Sequence, residues 1–230
     1  MSYKINLHAH SRYSDGCNTI REMAIQSQDL GFSACVITDH VYRKEEGAPN
    51  SWGLDMIKLT AACKEAQTVS NSLRYPVIIG GEFTIGYGEE ILVYGLEAVK
   101  ELMCRRDRKY EIDYDDLRDV RRMFNCAAII AHPIHPSAFI YEDAVDGFEL
   151  YNAGTPMFND RPIPRHFSHL TPWGNSDAHF DYGLSNGWNV VPIDVKCEYD
   201  LIDLIKNHAP SLIHVTSART LGDLMMEATA

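Results

Sequence analysis

Five times in this chain a short apolar run is followed at once by a histidine or a carboxylate, and that recurrence limits the fold more than any other feature. The first instance is Ile5-Asn6-Leu7-His8-Ala9-His10, continuing through Ser11-Arg12-Tyr13-Ser14 to Asp15-Gly16. Side chains at i and i+2 of a strand point to one face. His8 and His10 are therefore expected to project together, with the Asp-Gly turn folding Asp15 back beside them. Thr38-Asp39-His40 ends a second run, Gly81-Glu82 a third, Ala131-His132-Pro133 a fourth and Ser176-Asp177-Ala178-His179 a fifth. A lone His-x-His carries little weight, because surface and core histidines are common. Metal-binding groups at the ends of several strands imply one shared cluster.

Between these points the pattern alternates strand and helix. Thr19-Ile20-Arg21-Glu22 has the form of a capping box, and Ile20, Met23, Ala24 and Leu30 are spaced for a helix over about 19–30 that Gly31 stops. Residues 4–38 then read as a β-α-β unit with parallel strands. A polar loop from Val41 to Gly53 precedes a long helix carrying Leu54, Ile57, Leu59, Ala62 and Ala66. Strands are expected at Pro76–Gly80 and Ile91–Tyr94, linked by a hairpin at Gly86-Tyr87-Gly88. Helices are expected near 95–104 and 113–124, with the charge run Cys104–Lys109 as a solvated loop between them. Further strands are expected at 127–131, 147–152, 173–176, 189–193 and 212–215. Without repeats or long linkers, residues 1–230 are read as a single α/β domain. Functional groups gathered past strand ends are the arrangement of a TIM-like barrel.

Composition restricts the partners. With 45% hydrophobic and 23% charged residues the chain is an ordinary globular protein. Its net charge of −11 argues against a long nucleic-acid surface, which needs basic groups to displace counterions. It does not argue against small anions, because bound divalent cations invert the local potential of an acidic site. The six cysteines form no C-x-x-C pair, so no zinc knuckle or disulfide framework is suggested, and a reducing, cytoplasmic setting is expected. No run approaches the roughly 18 apolar residues needed to span a bilayer, and neither export nor a membrane partner is expected.

The ordered set His8-x-His10 with Asp15, Asp39-His40, Gly81-Glu82, Ala131-His132-Pro133 and Ser176-Asp177-Ala178-His179 resembles the motifs of the polymerase and histidinol phosphatase (PHP) superfamily. The resemblance runs from residue 3 to about 195. It implies a distorted (β/α)7 barrel, two or three divalent transition metals (manganese, zinc or iron) and phosphoester hydrolysis. Carried over by position, it implies that His8, His10, Glu82 and Asp177 hold one metal, that Glu82 bridges to a second also held by His132, and that Asp15, His40 and His179 hold a third. His8, His10, Asp177 and His179 then count as catalytic. Imidazole mixed with carboxylate suits these metals, whereas calcium or magnesium would draw mostly oxygen ligands. Small members of the superfamily usually carry a histidine immediately before the strand that here reads Ile91-Leu92-Val93-Tyr94. This chain has Glu90 there, as a replacement ligand or as a surface residue, with Glu89 as its neighbour and rival.

Hydrolysis of a phosphoester needs a nucleophile at neutral pH and neutralisation of the phosphoryl oxygens. Two metals about 3.5–4 Å apart meet the first need through a bridging hydroxide. Arg12, Arg161 and Arg165 are candidates to fork onto the phosphate, or are surface residues. His135 is placed to donate a proton to the leaving oxygen. Tyr13 is read as a phosphate contact or a packing residue, and Asn152 as a substrate contact or a loop tie. His166 and His169 fall on an expected helix as surface or packing residues, and His208 and His214 are read as structural. The leading expectation is hydrolysis of a small phosphorylated metabolite such as a nucleotide or sugar phosphate. The alternatives are a phosphodiesterase on short oligonucleotides, an amidohydrolase-like metal hydrolase, and a degenerate module that only binds metal or phosphate.

Overall fold

The computed structural model describes residues 1–41, 53–86, 88–109, 112–133, 142–156, 159 and 167–215. Among these, the chain runs through β1 (Tyr3–Ile5), α1 (Ile20–Asp29), β2 (Cys35–Ile37), β3 (His40–Val41), α2 (Met56–Leu73), β4 (Val77–Ile79), β5 (Gly81–Ile85) and β6 (Glu89–Tyr94). It continues through α3 (Leu96–Lys109), α4 (Tyr114–Met123), β7 (Ala127–Ala131), β8 (Gly147–Asn152), β9 (Thr171–Asn175), β10 (Gly187–Val191), α5 (Glu198–Asn207) and β11 (Leu212–Val215). The fold is mixed α/β. No helix among the described residues is long and apolar enough to cross a membrane.

Local chemistry accounts for the first unit. Thr19 caps α1 in a complete capping box: its hydroxyl accepts from the Glu22 backbone N–H at 3.2 Å, and the Glu22 carboxylate accepts from the Thr19 N–H at 2.8 Å. Ile20, Met23, Ala24 and Ser27 form the buried face of this helix. The chain returns so that Phe32 bridges Lys4 in parallel, and Thr38 N–H donates to the Ala9 carbonyl at 2.8 Å. The expected parallel β-α-β arrangement is present.

The strands group into three sheets, in the orders β1-β10-β11, β2-β4 and β3-β5-β6-β7-β8-β9. Pairing is parallel for β2/β4, β3/β5, β7/β8 and β8/β9. It is antiparallel for β5/β6 and β6/β7, so β6 departs from uniform β/α alternation. The expected hairpin causes this reversal. Gly86 and Gly88 adopt φ of +52° and +100°, values that β-carbon sterics disfavour in other residues. Backbone bonds outside the named strands join the sheets: Gly80 N–H to Ile37 O (2.7 Å), Glu82 N–H to Asp39 O (3.1 Å) and His10 N–H to Ala178 O (2.9 Å).

Strand alternation sorts the core. Ile91, Val93, Ala128, Ile130, Cys35 and Ile37 pack with the apolar faces of α1 to α4. Residues of opposite parity, Leu92, Tyr94, Ala127, Ile129 and Val36, form a second cluster with Ile5, Leu7, Ile78 and the fully buried Trp173. Leu201, Ile202, Leu204 and Ile205 of α5 join that second cluster. Both faces of these strands are thus covered, as expected of strands that read as continuous apolar runs.

Two expectations are corrected. The charge run Cys104–Lys109 is the last part of α3 rather than a loop. Arg and Lys are good helix formers, and Arg105 pairs with Glu101 one turn back (3.0 Å) and with Asp116 of α4 (3.2 Å). Arg106, nearly buried, donates to the Leu54 carbonyl at 3.2 Å. The second correction concerns His169, which lies in a turn closed by the Leu170 N–H to Phe167 O bond (2.9 Å), not on a helix. Pro172, two residues beyond Leu170, has no N–H with which to continue a helical ladder. Replacing the α1 cap, Thr19→Ala, is expected to cost about 1 kcal/mol in a denaturant titration while leaving the fold unchanged.

Candidate metal centre

The segment after β1 is held by side chains as much as by backbone. Asn6 Oδ1 accepts from Ser176 N–H (2.9 Å), while its amide group donates to His8 O (3.0 Å). Leu7 N–H donates to Asn175 Oδ1 at 3.0 Å. Asn189 Nδ2 donates to Gly174 O (2.7 Å) and to Asn175 Oδ1 (3.2 Å). These buried asparagines lock residues 6–10 against residues 174–178, and so bring His8 and His10 to Asp177. Asp39 fixes the next turn: it accepts from Ser11 N–H (2.7 Å), Ser11 Oγ (2.6 Å) and Ser14 Oγ (2.5 Å), which returns Asp15 toward His40 and His179.

The sequence-derived cluster is assembled in full. His8 Nε2 and His10 Nε2 are 3.0 Å apart. Glu82 Oε2 lies 3.2 Å from the first and 3.3 Å from the second. Asp177 Oδ1 lies 3.3 Å and 3.0 Å from the same two atoms. The second Glu82 oxygen, Oε1, is 3.2 Å from His132 Nε2, which is 3.4 Å from Glu90 Oε2. Glu82 therefore offers one oxygen to each of two neighbouring groups. Asp15 Oδ2 sits 3.3 Å from His179 Nε2 and 3.6 Å from His40 Nε2. His40 also reaches Glu82 Oε2 through Nδ1 at 3.0 Å, so it joins this third group to the first.

Glu90, not Glu89, is the member of the acidic pair that enters the cluster. It shares strand parity with Leu92, which pairs directly with Glu82 in the β5/β6 register. Glu89 is buried on the other face, where its charge adds to burial in raising the Tyr114 hydroxyl above its ordinary value.

The donor spacing tests whether a metal fits. The Nε2 atoms of His8 and His10 face each other at 3.0 Å, and one oxygen of Glu82 and one of Asp177 each lie within 3.3 Å of both. Ligands about 2.05 Å from a tetrahedral zinc stand about 3.3 Å apart; the His8, His10 and Glu82 donor atoms lie 3.0, 3.2 and 3.3 Å from one another, and Asp177 Oδ1 lies 3.3 and 3.0 Å from the two imidazoles. Three further groups of potential ligands lie alongside: His10, Asp15, His40 and His179; His8, His132 and Asp177; and His40, Glu82 and Glu90. The residues fit divalent metals.

The electrostatics show a site that demands positive charge. Burial disfavours the charged forms throughout, yet neighbouring charges outweigh it at most positions. The histidines around Glu82 hold its carboxyl well below the usual range, and those around Asp15 and Asp177 do the same for these two. Burial opposes a proton on His132, but the Glu82 hydrogen bond and the Glu82 and Glu149 charges hold it up to about 9. His179 is likewise pushed up to about 8 by Asp15 and Asp177 against burial. Burial takes His40 down to about 4, in spite of Glu82 and with the help of His10. Burial and the Glu82 charge raise Glu90 to about 7. Two cluster residues also have positive φ, His132 at +22° and Asp177 at +50°, an unfavourable backbone state held by the surrounding structure.

The remaining described candidates fall outside the cluster. Arg12 is exposed and donates through Nε to the Cys17 carbonyl at 2.6 Å. Tyr13 donates to Glu65 at 2.9 Å. Asn152 is buried with its amide N–H on Glu149 (2.8 Å) and its oxygen on Thr155 N–H (2.9 Å). His208 pairs with Asp203 (3.4 Å), and His214 stacks on Trp188 with centroids 4.3 Å apart. His135, Arg161, Arg165 and His166 lie outside the described residues. Sequence reasoning missed Glu149, whose only signal was a charge inside the buried run Gly147–Asn152, and Asp39, which stood unexamined beside His40.

The PHP domain family model matches residues 6–187, and the chain belongs to that family. Its fold is similar to that of PsfC from Pseudomonas syringae PB-5123, with 13% identity, a TM-score of 0.62, and coverage of 100% of this chain and 99% of that one. A two-domain protein containing a predicted PHP-like metal-dependent phosphoesterase from Bacteroides vulgatus ATCC 8482 shares 17% identity at a TM-score of 0.62, over 93% of this chain and 66% of that one. The lesion-specific endonuclease PfuEndoQ from Pyrococcus furiosus shares 13% identity at a TM-score of 0.54, over 95% of this chain and 60% of that one. No curated protein matches the chain in sequence.

One loop contact gives a test of the centre's geometry. A β-carbon on Gly154 would lie 2.8 Å from Asp177 Oδ2 and 2.9 Å from Cγ, so this position has room for glycine alone. Gly154→Ala is expected to displace the Asp177 carboxylate and weaken zinc or manganese binding at least about tenfold, as read by competition with a chromophoric chelator.

Proposed function

We propose that this chain is a metal-dependent phosphoric ester hydrolase acting on a small phosphorylated metabolite, a nucleotide or sugar phosphate. The observation that carries the reading is the convergence of His8, His10, Glu82 and Asp177 donor atoms at 3.0–3.3 Å, with the other Glu82 oxygen turned to His132. Membership of the PHP family supports it. Residues 1–230 form one PHP-type domain, a distorted seven-stranded barrel. The bridge between Ala9 and Ala178 and the Thr38 to Ala9 bond support closure on either side of the first strand.

In this reading His8, His10, Glu82 and Asp177 hold the first of two or three manganese, zinc or iron ions. Glu82 leads to a second held also by His132 and Glu90, and Asp15, His40 and His179 hold a third. Such ions neutralise phosphoryl oxygens and supply a nucleophile at neutral pH. The chain's own contribution is to fix the ligands before substrate arrives, through the Asn6, Asn175 and Asp39 contacts. Arg12, Arg161 and Arg165 bind the phosphate by forked hydrogen bonds, and His135 returns a proton to the leaving oxygen. Six free cysteines support a cytoplasmic setting.

The rival substrate is a short oligonucleotide, favoured by the similarity of fold to a lesion-specific endonuclease. The net charge of −11 favours the small substrate, because a chain of that overall charge repels a long polyanion. An amidohydrolase-like reaction would use the same histidines, but Glu82 takes the mid-chain place where that branch carries a bridging lysine.

Phosphate release from a panel of phosphomonoesters and short phosphodiesters, with metals counted on the same zinc- or manganese-loaded preparation, tests the reading. Turnover of a small monoester is expected, with two or three metals per chain and loss of activity in excess chelator. A fully loaded protein that turns over no phosphoester would overturn it. His8→Ala and Asp177→Ala should each lower hydrolysis by at least about 1,000-fold, the several kcal/mol that metal assistance supplies, whereas His208→Ala, at a half-buried residue paired with Asp203, should change nothing. Glu90→His is expected to keep both metal content and activity and Glu90→Ala to lose about one metal per chain. Indifference to both changes would remove Glu90 from the site.

A further inference from the structure

We propose that Glu149 is a positioning residue that fixes the tautomer of His8 and the setting of His132, and so prepares both imidazoles to receive metal. The proposal rests on the metal-binding reading above and adds to it a residue outside the ligand set.

Glu149 lies on β8 and is only 3% exposed, yet no cation-bearing Lys or Arg contacts it among the described hydrogen bonds and ion pairs. Its carboxylate is instead surrounded by donors. Oε1 lies 2.9 Å from His8 Nδ1 and 2.8 Å from Asn175 Nδ2. Oε2 lies 2.8 Å from the His132 backbone N–H and 2.8 Å from Asn152 Nδ2. The orientation of both asparagines is set elsewhere: Asn175 Oδ1 accepts from Leu7 N–H and Asn152 Oδ1 accepts from Thr155 N–H, so each must turn its NH2 toward Glu149. Four donors thus meet two acceptor oxygens.

This arrangement dictates the His8 proton. An ionised carboxylate only accepts, so His8 carries hydrogen on Nδ1, which leaves Nε2, beside His10, Glu82 and Asp177, as the nitrogen that would meet a metal. That is the tautomer a metal needs, and a carboxylate behind a ligating imidazole fixes ring orientation and raises basicity. The second oxygen serves His132 differently. It anchors the backbone N–H of a residue whose φ of +22° is otherwise unfavourable, and that anchor helps hold the ring at Glu82.

The decisive variant is Glu149→Gln, which preserves shape but cannot accept on both sides. In either amide orientation its NH2 faces two donors. If it faces His8, the ring is driven to the opposite tautomer, with hydrogen on Nε2 where metal would bind; if it faces His132, the backbone anchor is lost. The expected result is a drop of about 10- to 100-fold in zinc affinity, measured by chelator competition. Nitrogen-15 NMR of the zinc-loaded wild type should show His8 protonated at Nδ1 with Nε2 bound to metal. The effect should act through His8: in a His8→Ala background, Glu149→Gln should cost much less affinity than it does alone.

Wild-type affinity retained in Glu149→Gln, or a wild-type His8 with its proton on Nε2, would overturn the proposal. Equal losses in the two backgrounds would overturn the His8 tautomer assignment, because they would show an effect that does not pass through His8. The NMR measurement uses the unaltered protein and decides the matter even if the variant fails to fold. A wild type that binds no zinc at all would instead defeat the metal-binding reading on which the proposal rests.

Discussion

Four carboxylates, Asp15, Glu82, Glu90 and Asp177, and five imidazoles, His8, His10, His40, His132 and His179, crowd into one pocket of the protein where most of them are nearly inaccessible to water. Burying unpaired charge is among the most unfavourable things a fold can do. The rest of the structure is arranged so that each of these groups meets an opposite charge or a donor. Glu82 illustrates the solution: it is fully buried, yet four histidines lie within 3.3 Å of its two oxygens. The site's demand for positive charge is the physical reason that divalent metals suit it.

Holding such a cluster requires a scaffold that gives no room for relaxation. Strand alternation supplies part of it, by sending one set of side chains to the helices and the other to a core that contains Tyr94 and Trp173. Tyr94 also donates to the Leu7 carbonyl at 3.0 Å, directly before His8. The asparagines supply the rest. Asn6, Asn175 and Asn189 replace regular ladder bonds with side-chain bonds between segments about 170 residues apart in sequence. Such bonds fix register more tightly than apolar packing, because a shift of one residue would leave several buried amides unpaired.

The antiparallel β6 has a functional consequence. A uniform β/α alternation would carry each chain end away from the cluster through a helix. The hairpin instead returns the chain at once, so Glu82 leaves on β5 and Glu90 arrives on β6, two residues along the same face from Leu92. This places a second carboxylate next to His132 and His40. Burial and the Glu82 charge raise the Glu90 carboxyl to about 7, a degree of charge frustration that a cation would relieve.

The candidate ligand residues were legible in sequence because each follows an apolar run, and a two-residue strand period places His8 beside His10 without further information. The capped helix α1 and the Gly-rich hairpin were legible for the same local reason: their geometry is written in neighbouring residues. The helical nature of Cys104–Lys109 was not, because its stabilising partners Asp116 and the Leu54 carbonyl lie on other elements. Nor was the role of Glu149, a single charge in an apolar strand, or the choice of Glu90 over Glu89. The sequence by itself determined which groups could bind metal and at which strand ends they would stand. Only the tertiary structure decided which donor atoms stand together and which carboxylate lies behind His8, because those placements depend on contacts at 3 Å between residues far apart in the chain.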